Sequence, residues 1–198
     1  MKTAKKVLLL ALCAILLVGA TIAGTVAYLT SQKTVTNTFT VGKVEIALTE
    51  DLINVETGKK LTGNQAGTTD NLQNIELVPG RTIEKNPKIT VSSDSEECYL
   101  FVKIENNLLT AGKINGLTGW VAVEGDANVN GVSIYRYNTT VSAGDEVDVF
   151  TSFKCNETIT EYEASLDGAT IVITAYAIQA EGLDSDTAFD ALFPTSNP

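Results

Sequence analysis

From about residue 44 onward, hydrophobic and polar positions alternate with the period of two expected of half-buried β-strands. In "CYLFVKIEN" the residues Cys98, Leu100, Val102 and Ile104 share one phase. In "VDVFTSFKC" the same phase holds Val147, Val149, Thr151, Phe153 and Cys155. "RTIEKNPKITV", "GWVAVEG", "GVSIYRYN" and "ATIVITAYAIQA" read as further strands. Turn chemistry separates them at Pro79–Gly80, "EGDANVNG", "NTTVSAGD" and "LDGA". Helical periodicity is confined to "DSDTAFDALF", which predicts a short helix over 185–193 capped by Asp184, Ser185 or Asp186. Residues 51–74 are polar and rich in Gly and Thr, which predicts a mobile loop. Several short strands at this spacing predict an all-β domain, a sandwich or a jelly roll.

Two segments depart from simple alternation. In "VTNTFTVGKVEIAL", Val35, Phe39 and Val41 share a phase, but after Gly42 the apolar set becomes Val44, Ile46 and Leu48. A one-residue slip reverses every side chain, so Gly42 marks a β-bulge, or a hinge where the strand changes sheet. "IVITAYAI", residues 171–178, carries no charge, Pro or Gly. That is the profile of a self-associating segment, and equally that of a central strand buried on both faces.

The N-terminal region has a different texture. Lys2, Lys5 and Lys6 precede an uncharged stretch from Val7 to Leu29, strongly apolar only as far as Val18 and small-residue-rich after it. A basic start, a short apolar core and a small-residue finish form the layout of a secretory signal. Thr25 and Ala27 fit the positions three and one before a cut ahead of Tyr28; Thr21 and Ala23 are the second choice. An uncleaved anchor is the alternative. The expected organisation is a signal peptide over 1–27 and one domain over 28–198. The net charge of −10 becomes −13 once the three leader lysines are gone. Such a surface repels nucleic acid and anionic lipid, so contact with the membrane is expected only during export. Cys13 leaves with the leader. Cys98 and Cys155 remain, both on the apolar phase of their strands, either as a core disulfide or as two buried thiols.

Candidate chemistry is sparse. The chain has no histidine, which removes Ser–His and Cys–His nucleophile pairs and His-based zinc sites. No phosphate loop or dinucleotide fingerprint is present. Carboxylate pairs alone would have to support a glycosidase, and the single Trp and small size weigh against one. No enzyme activity, catalytic residue or cofactor is expected. One metal candidate stands out: "DANVNG" sets Asp126, Asn128, Asn130 and Gly131 at the first, third, fifth and sixth positions of a calcium loop. Tyr137 occupies the position of the bidentate Glu, and the competing reading is a polar hairpin turn. Asn138 and Asn156 begin glycosylation sequons and read as turn residues.

The N-terminal signature, a small-residue signal end followed by "GTVAYLTSQKTVTNTFTVGKVEIAL", resembles the TasA/camelysin-like family of Gram-positive proteins exported by a SipW-type signal peptidase. "PGRTIEKNPKITVSS" leading to "CYLFVKIEN", and the closing "ITAYAIQAEG", are similar to that family's core strands. The resemblance implies a jelly-roll-like β-sandwich with a short C-terminal helix, secreted to the cell surface or biofilm matrix. It also implies self-association into fibres by donation of an N-terminal strand. On this chain the donor is Tyr28 to about Val41, with Val35 and Phe39 on its apolar phase and Gly42 as hinge. The other readings are a monomeric adhesin using Trp120, Tyr135 and Tyr137, and, less favoured, a camelysin-like hydrolase, which the absence of histidine opposes.

Overall fold

The computed structural model describes residues 5–6, 12–13, 43–70, 73–159 and 169–194. The chain divides into two units, Met1–Thr40 and Val41–Pro198. In the first, Lys5, Lys6, Leu12 and Cys13 are helical and exposed. Among the described residues no helix is long and apolar enough to cross a membrane.

The second unit is a β body with one short helix. Its strands form two antiparallel layers around a shared core. The first layer is built on β7 (Cys98–Asn106), whose phase of Cys98, Leu100, Val102 and Ile104 is fully buried, as its alternation predicts. β13 (Ile171–Gln179) pairs with one side of β7 along its whole length. β10 (Val132–Tyr137) pairs with the other side, and β9 (Trp120–Glu124) lies beyond it.

The second layer rests on one long, bent strand pair. β5 (Thr82–Glu84) and β6 (Lys88–Val91) run against β12 (Ser152–Cys155) and β11 (Glu146–Asp148). Glu84 faces Ser152 and Lys88 faces Asp148, so both halves keep one register. Bonds from Lys85 N to Thr151 O (3.2 Å) and from Val149 N to Pro87 O (2.7 Å) carry the pairing across the bend. Pro87 has no N–H for a regular ladder and marks the break. The partner chain turns there too: Val149 and Phe150 are consecutive yet both fully buried, and Thr151 is exposed. The single apolar phase expected through 147–155 therefore fails at Thr151, because the strand rotates at the bend. β8 (Gly112–Asn115) flanks β12, and β1 (Ile46–Asp51) flanks β6. Val44, Ile46 and Leu48 face the core, the phase read after Gly42.

Residues 51–70, expected within a mobile loop, instead carry secondary structure. β2 (Ile53–Asn54) pairs with β3 (Lys59–Lys60), a 3₁₀ turn spans Gly63–Gln65, and β4 (Thr68–Thr69) pairs with the end of β1. Asn54 Oδ1 accepts from the N–H groups of Glu56 and Thr57, and Gln73 Oε1 accepts from Ile53 N. Side-chain amides thus take over the backbone pairing that a polar, Gly-rich stretch cannot obtain from apolar burial.

The predicted C-terminal helix forms as α1 (Ser185–Leu192). Asp184 caps it, accepting from Asp186 N at 3.1 Å and Thr187 N at 2.7 Å. α1 lies over the outer face of β7 and β13. Phe189 and Phe193 meet Phe101 at 5.9 and 6.1 Å, and Phe193 meets Tyr176 at 4.9 Å. This second, smaller apolar cluster explains why Phe101 is buried although its phase points away from the main core.

β8 packs so closely on β12 that a Cβ at Gly112 would meet Lys154 O and lie 2.6 Å from Phe153 Cζ. Nothing lies within 4 Å of the same atom at Gly131. Gly112→Ala is expected to destabilise the body by about 1–3 kcal/mol through overpacking. Gly131→Ala is expected to leave stability within about 0.5 kcal/mol, as an open surface site should. Urea unfolding midpoints of the two variants check this.

Candidate functional site: the open edge of β13

Among the described residues β13 lies at the edge of its sheet. Its only strand partner among the described residues is β7. The bonds Asn107 N to Thr170 O and Ala180 N to Glu97 O fix which pairs are hydrogen-bonded. The even-numbered residues of β13 therefore bond β7, and the N–H and C=O groups of Ile171, Ile173, Ala175, Ala177 and Gln179 point to the free side. The side chains of Ile171, Ile173, Ala175 and Ala177 face the core yet stay half-buried. A row of core-facing apolar side chains thus runs along an edge that no described strand covers.

The other outer strands are shorter or charged. β4 has two residues, β8 has four including Lys113, and β9 has five including Glu124. β13 has nine residues without a charge or a proline, which are the usual devices that blunt an edge. β1 approaches β13 in space, and its own edge resembles it. β4 covers only Glu50 and Asp51, so Ile46 and Leu48 also direct backbone groups outward. Two half-covered apolar rows, one from each layer, therefore lie side by side.

Both flanks are fixed. On the outer face α1 holds Tyr176, and Tyr99 Oη donates to Leu183 O at 3.3 Å. On the β1 side, adjacent carboxylates each take one lysine and one amide. Glu50 Oε2 accepts from Lys85 Nζ (2.6 Å) and Gln73 Nε2 (2.7 Å). Asp51 pairs with Lys60 and accepts from Asn86 Nδ2 at 2.7 Å. Burial alone would push the Asp51 carboxyl up. The Lys60 and Asn86 hydrogen bonds, with the Lys60 and Lys88 charges, outweigh it and hold the group below its ordinary range. Upstream, Lys43–Glu45 is tied to the segment after β6: Ser92 N donates to Glu45 O and Glu96 N to Lys43 O.

The sites read from sequence distribute unevenly. Thr25, Ala27, Tyr28, Val35, Phe39, Val41 and Gly42 lie outside the described residues, which resume at Lys43. Cys98 and Cys155 are both buried and both free, on β7 and β12, one in each layer. Of the two states open for them, the structure has the buried thiols and not the disulfide. Burial, with the Glu97 charge, pushes the Cys98 thiol up to about 11, and burial raises Cys155 as well.

The calcium candidate is a turn. Asp126 Oδ1 accepts from Asn128 N, Asn130 Oδ1 accepts from Asp126 N, and Asn128 Oδ1 accepts from Ile114 N. One side-chain oxygen of each of the three residues is engaged by a backbone N–H, and the loop docks onto β8. Among the described residues no three His, Cys, Asp or Glu side chains are grouped to hold a metal. Trp120 Nε1 donates to Asp148 O, Tyr135 Oη accepts from Ala127 N, and Tyr137 packs edge-on against Trp120. Trp120 and Tyr135 are buried, and Tyr137 is half-buried. Comparisons of the chain with family profiles, curated proteins and solved structures return no match.

Thiol reagent is expected to label neither Cys98 nor Cys155 in the native body at mild pH, and to label both after unfolding without reductant. Unfolded protein that gives no thiols would instead show a disulfide. A second expectation concerns acid. A carboxylate held below its unfolded pKa contributes stability at neutral pH that is lost as pH falls through the folded value. Asp51→Asn should therefore cost about 1 kcal/mol near neutrality, Lys60 being half exposed, with the difference from the parent closing below about pH 4. Unfolding midpoints measured across that range check it.

Proposed function

We propose that this chain is a secreted structural protein of the cell surface or biofilm matrix. It is exported with a signal peptide cut ahead of Tyr28 by a SipW-type peptidase, and it assembles into fibres. In this reading residues 28–41 of one copy add as a strand to the open edge of β13 in the next, completing a jelly-roll-like sandwich. The observation that carries it is that nine-residue, uncharged edge with its half-buried row of Ile171, Ile173, Ala175 and Ala177.

The chemistry of donor and acceptor is complementary. Residues 28–41 outnumber those of β13 and place Val35, Phe39 and Val41 on one phase. A strand so patterned supplies main-chain hydrogen bonds to the free edge and apolar side chains to the uncovered row. Adding a strand from one copy to an edge of another is a head-to-tail contact, which grows filaments unless it closes into a ring. Two of the three contacts named for the adhesin reading, Trp120 and Tyr135, are buried and hydrogen-bonded within the body, which weighs against it, and Tyr137 is half-buried against Trp120. A hydrolase reading finds no support in a chain without histidine.

Negative-stain microscopy of the protein beginning at Tyr28 tests the proposal, over a range of concentrations and beside a form lacking 28–41. Filaments in the longer form alone are expected. A second variant addresses the acceptor. Ala175→Pro removes an N–H that points away from β7, so it should abolish filaments while leaving the monomer's circular dichroism intact. Monodisperse particles from the unmodified protein, or filaments from the 28–41 deletion, would sink strand donation.

A further inference from the structure

Most of the described lysines of the second unit are ion-paired, and the two that are not sit together. Among the described lysines of the second unit, Lys43, Lys59, Lys60, Lys85, Lys88 and Lys103 each form an ion pair with a carboxylate. Lys113 and Lys154 form none. They stand directly opposite one another on β8 and β12, both exposed. Pairing by Asn156 N to Ala111 O shows that this is a hydrogen-bonded pair, so the two ammonium groups leave the same face of the sheet. Like charges in register across two strands repel. In a chain with 24 acidic residues against 14 basic ones, no acid has been brought to relieve them.

The surroundings make a receptive surface. Lys113 and Lys154 line one concavity of about 190 Å³ with Asn115, Cys155, Asn156 and Glu157. The same cross-strand row continues to the exposed hydroxyl residue Thr82. The carboxylate in the neighbouring row, Glu84, is engaged by Lys59 Nζ and Lys60 N–H. Glu157 is the one acidic lining residue. Asn115 and Asn156 each commit one of two amide hydrogens, to Lys113 O and Thr110 O, and the two ammonium groups are the only cations of the lining.

We propose that Lys113 and Lys154 form a two-cation seat for a phosphate group, borne by a phosphorylated ligand of the matrix or present as the free ion. An ammonium is a compact point charge with rotatable donors, without the planar fork that guanidinium offers a carboxylate. Two such charges in register suit an oxyanion whose several oxygens lie in different directions. The seat is in a different sheet from β13, and it does not depend on strand donation.

Equilibrium dialysis of the protein against inorganic phosphate, and separately against tripolyphosphate, tests the seat at fixed ionic strength in chloride. Saturable retention is expected, weakened about tenfold or more in K113Q/K154Q and unchanged in K88Q/K103Q, whose lysines are ion-paired elsewhere. The single variants K113Q and K154Q, each checked for a native circular dichroism spectrum, guard against loss of fold in the double variant. Retention of both probes supports a seat for a single phosphate group, and retention of tripolyphosphate alone supports a seat for a phosphate chain. No retention of either probe, or equal retention by the parent and the folded single and double variants, overturns the proposal.

Discussion

Segments 82–91 and 146–155 hold one antiparallel register across a bend, and the second layer is arranged around that pair. β8 can flank it only at β12, and β1 only at β6, because the bend turns the two halves to different neighbours. The bend also brings Val149 and Phe150 inward together, where Phe150 and Phe153 form part of the core seen by β7. A shift of one residue in this register would turn out either Val147 and Phe153 or Ile83 and Ile89, and turn Lys154 or Lys88 in. Apolar burial fixes the register, and the two hydrogen bonds at Pro87 and Thr151 keep it continuous where regular pairing stops.

Much of the first layer was legible because side-chain phase reports which face of a strand is covered. Cys98 to Ile104, Val44 to Leu48 and the capped helix at Asp184 follow directly from alternation and capping chemistry. Of the two readings of "IVITAYAI", the central strand meets an edge position among the described residues, for an instructive reason. Its two faces are indeed both apolar, one toward the core and one toward Phe193 and its neighbours on the helix. Side-chain pattern records the cover above and below a strand. Whether a neighbour lies beside it is a matter of backbone bonding in the plane of the sheet, which the pattern does not encode. Residues 51–70 were illegible for a related reason: Asn54, Gln73, Glu50 and Asp51 fold them by polar contacts between residues distant in sequence. In the calcium-like loop the spacing of Asp126, Asn128 and Asn130 was real, but such spacing serves a turn as readily as an ion.

Among the described residues, two places depart from the regularities of the body. Most outer strands are short or carry charge, and most lysines are matched to an acid. β13 departs from the first regularity, and the Lys113–Lys154 pair departs from the second. One is apolar and directional, offering backbone groups in a line; the other is polar and compact. They lie in different sheets.

The state of the two core cysteines has a further consequence. Secreted β-domains often lean on cross-links that form only after the chain reaches an oxidising compartment. Here Cys98 and Cys155 contribute as small apolar side chains, each shielded and protonated. Thiols held protonated and out of reach are poor partners in thiol–disulfide exchange, so they become reactive only when the body opens.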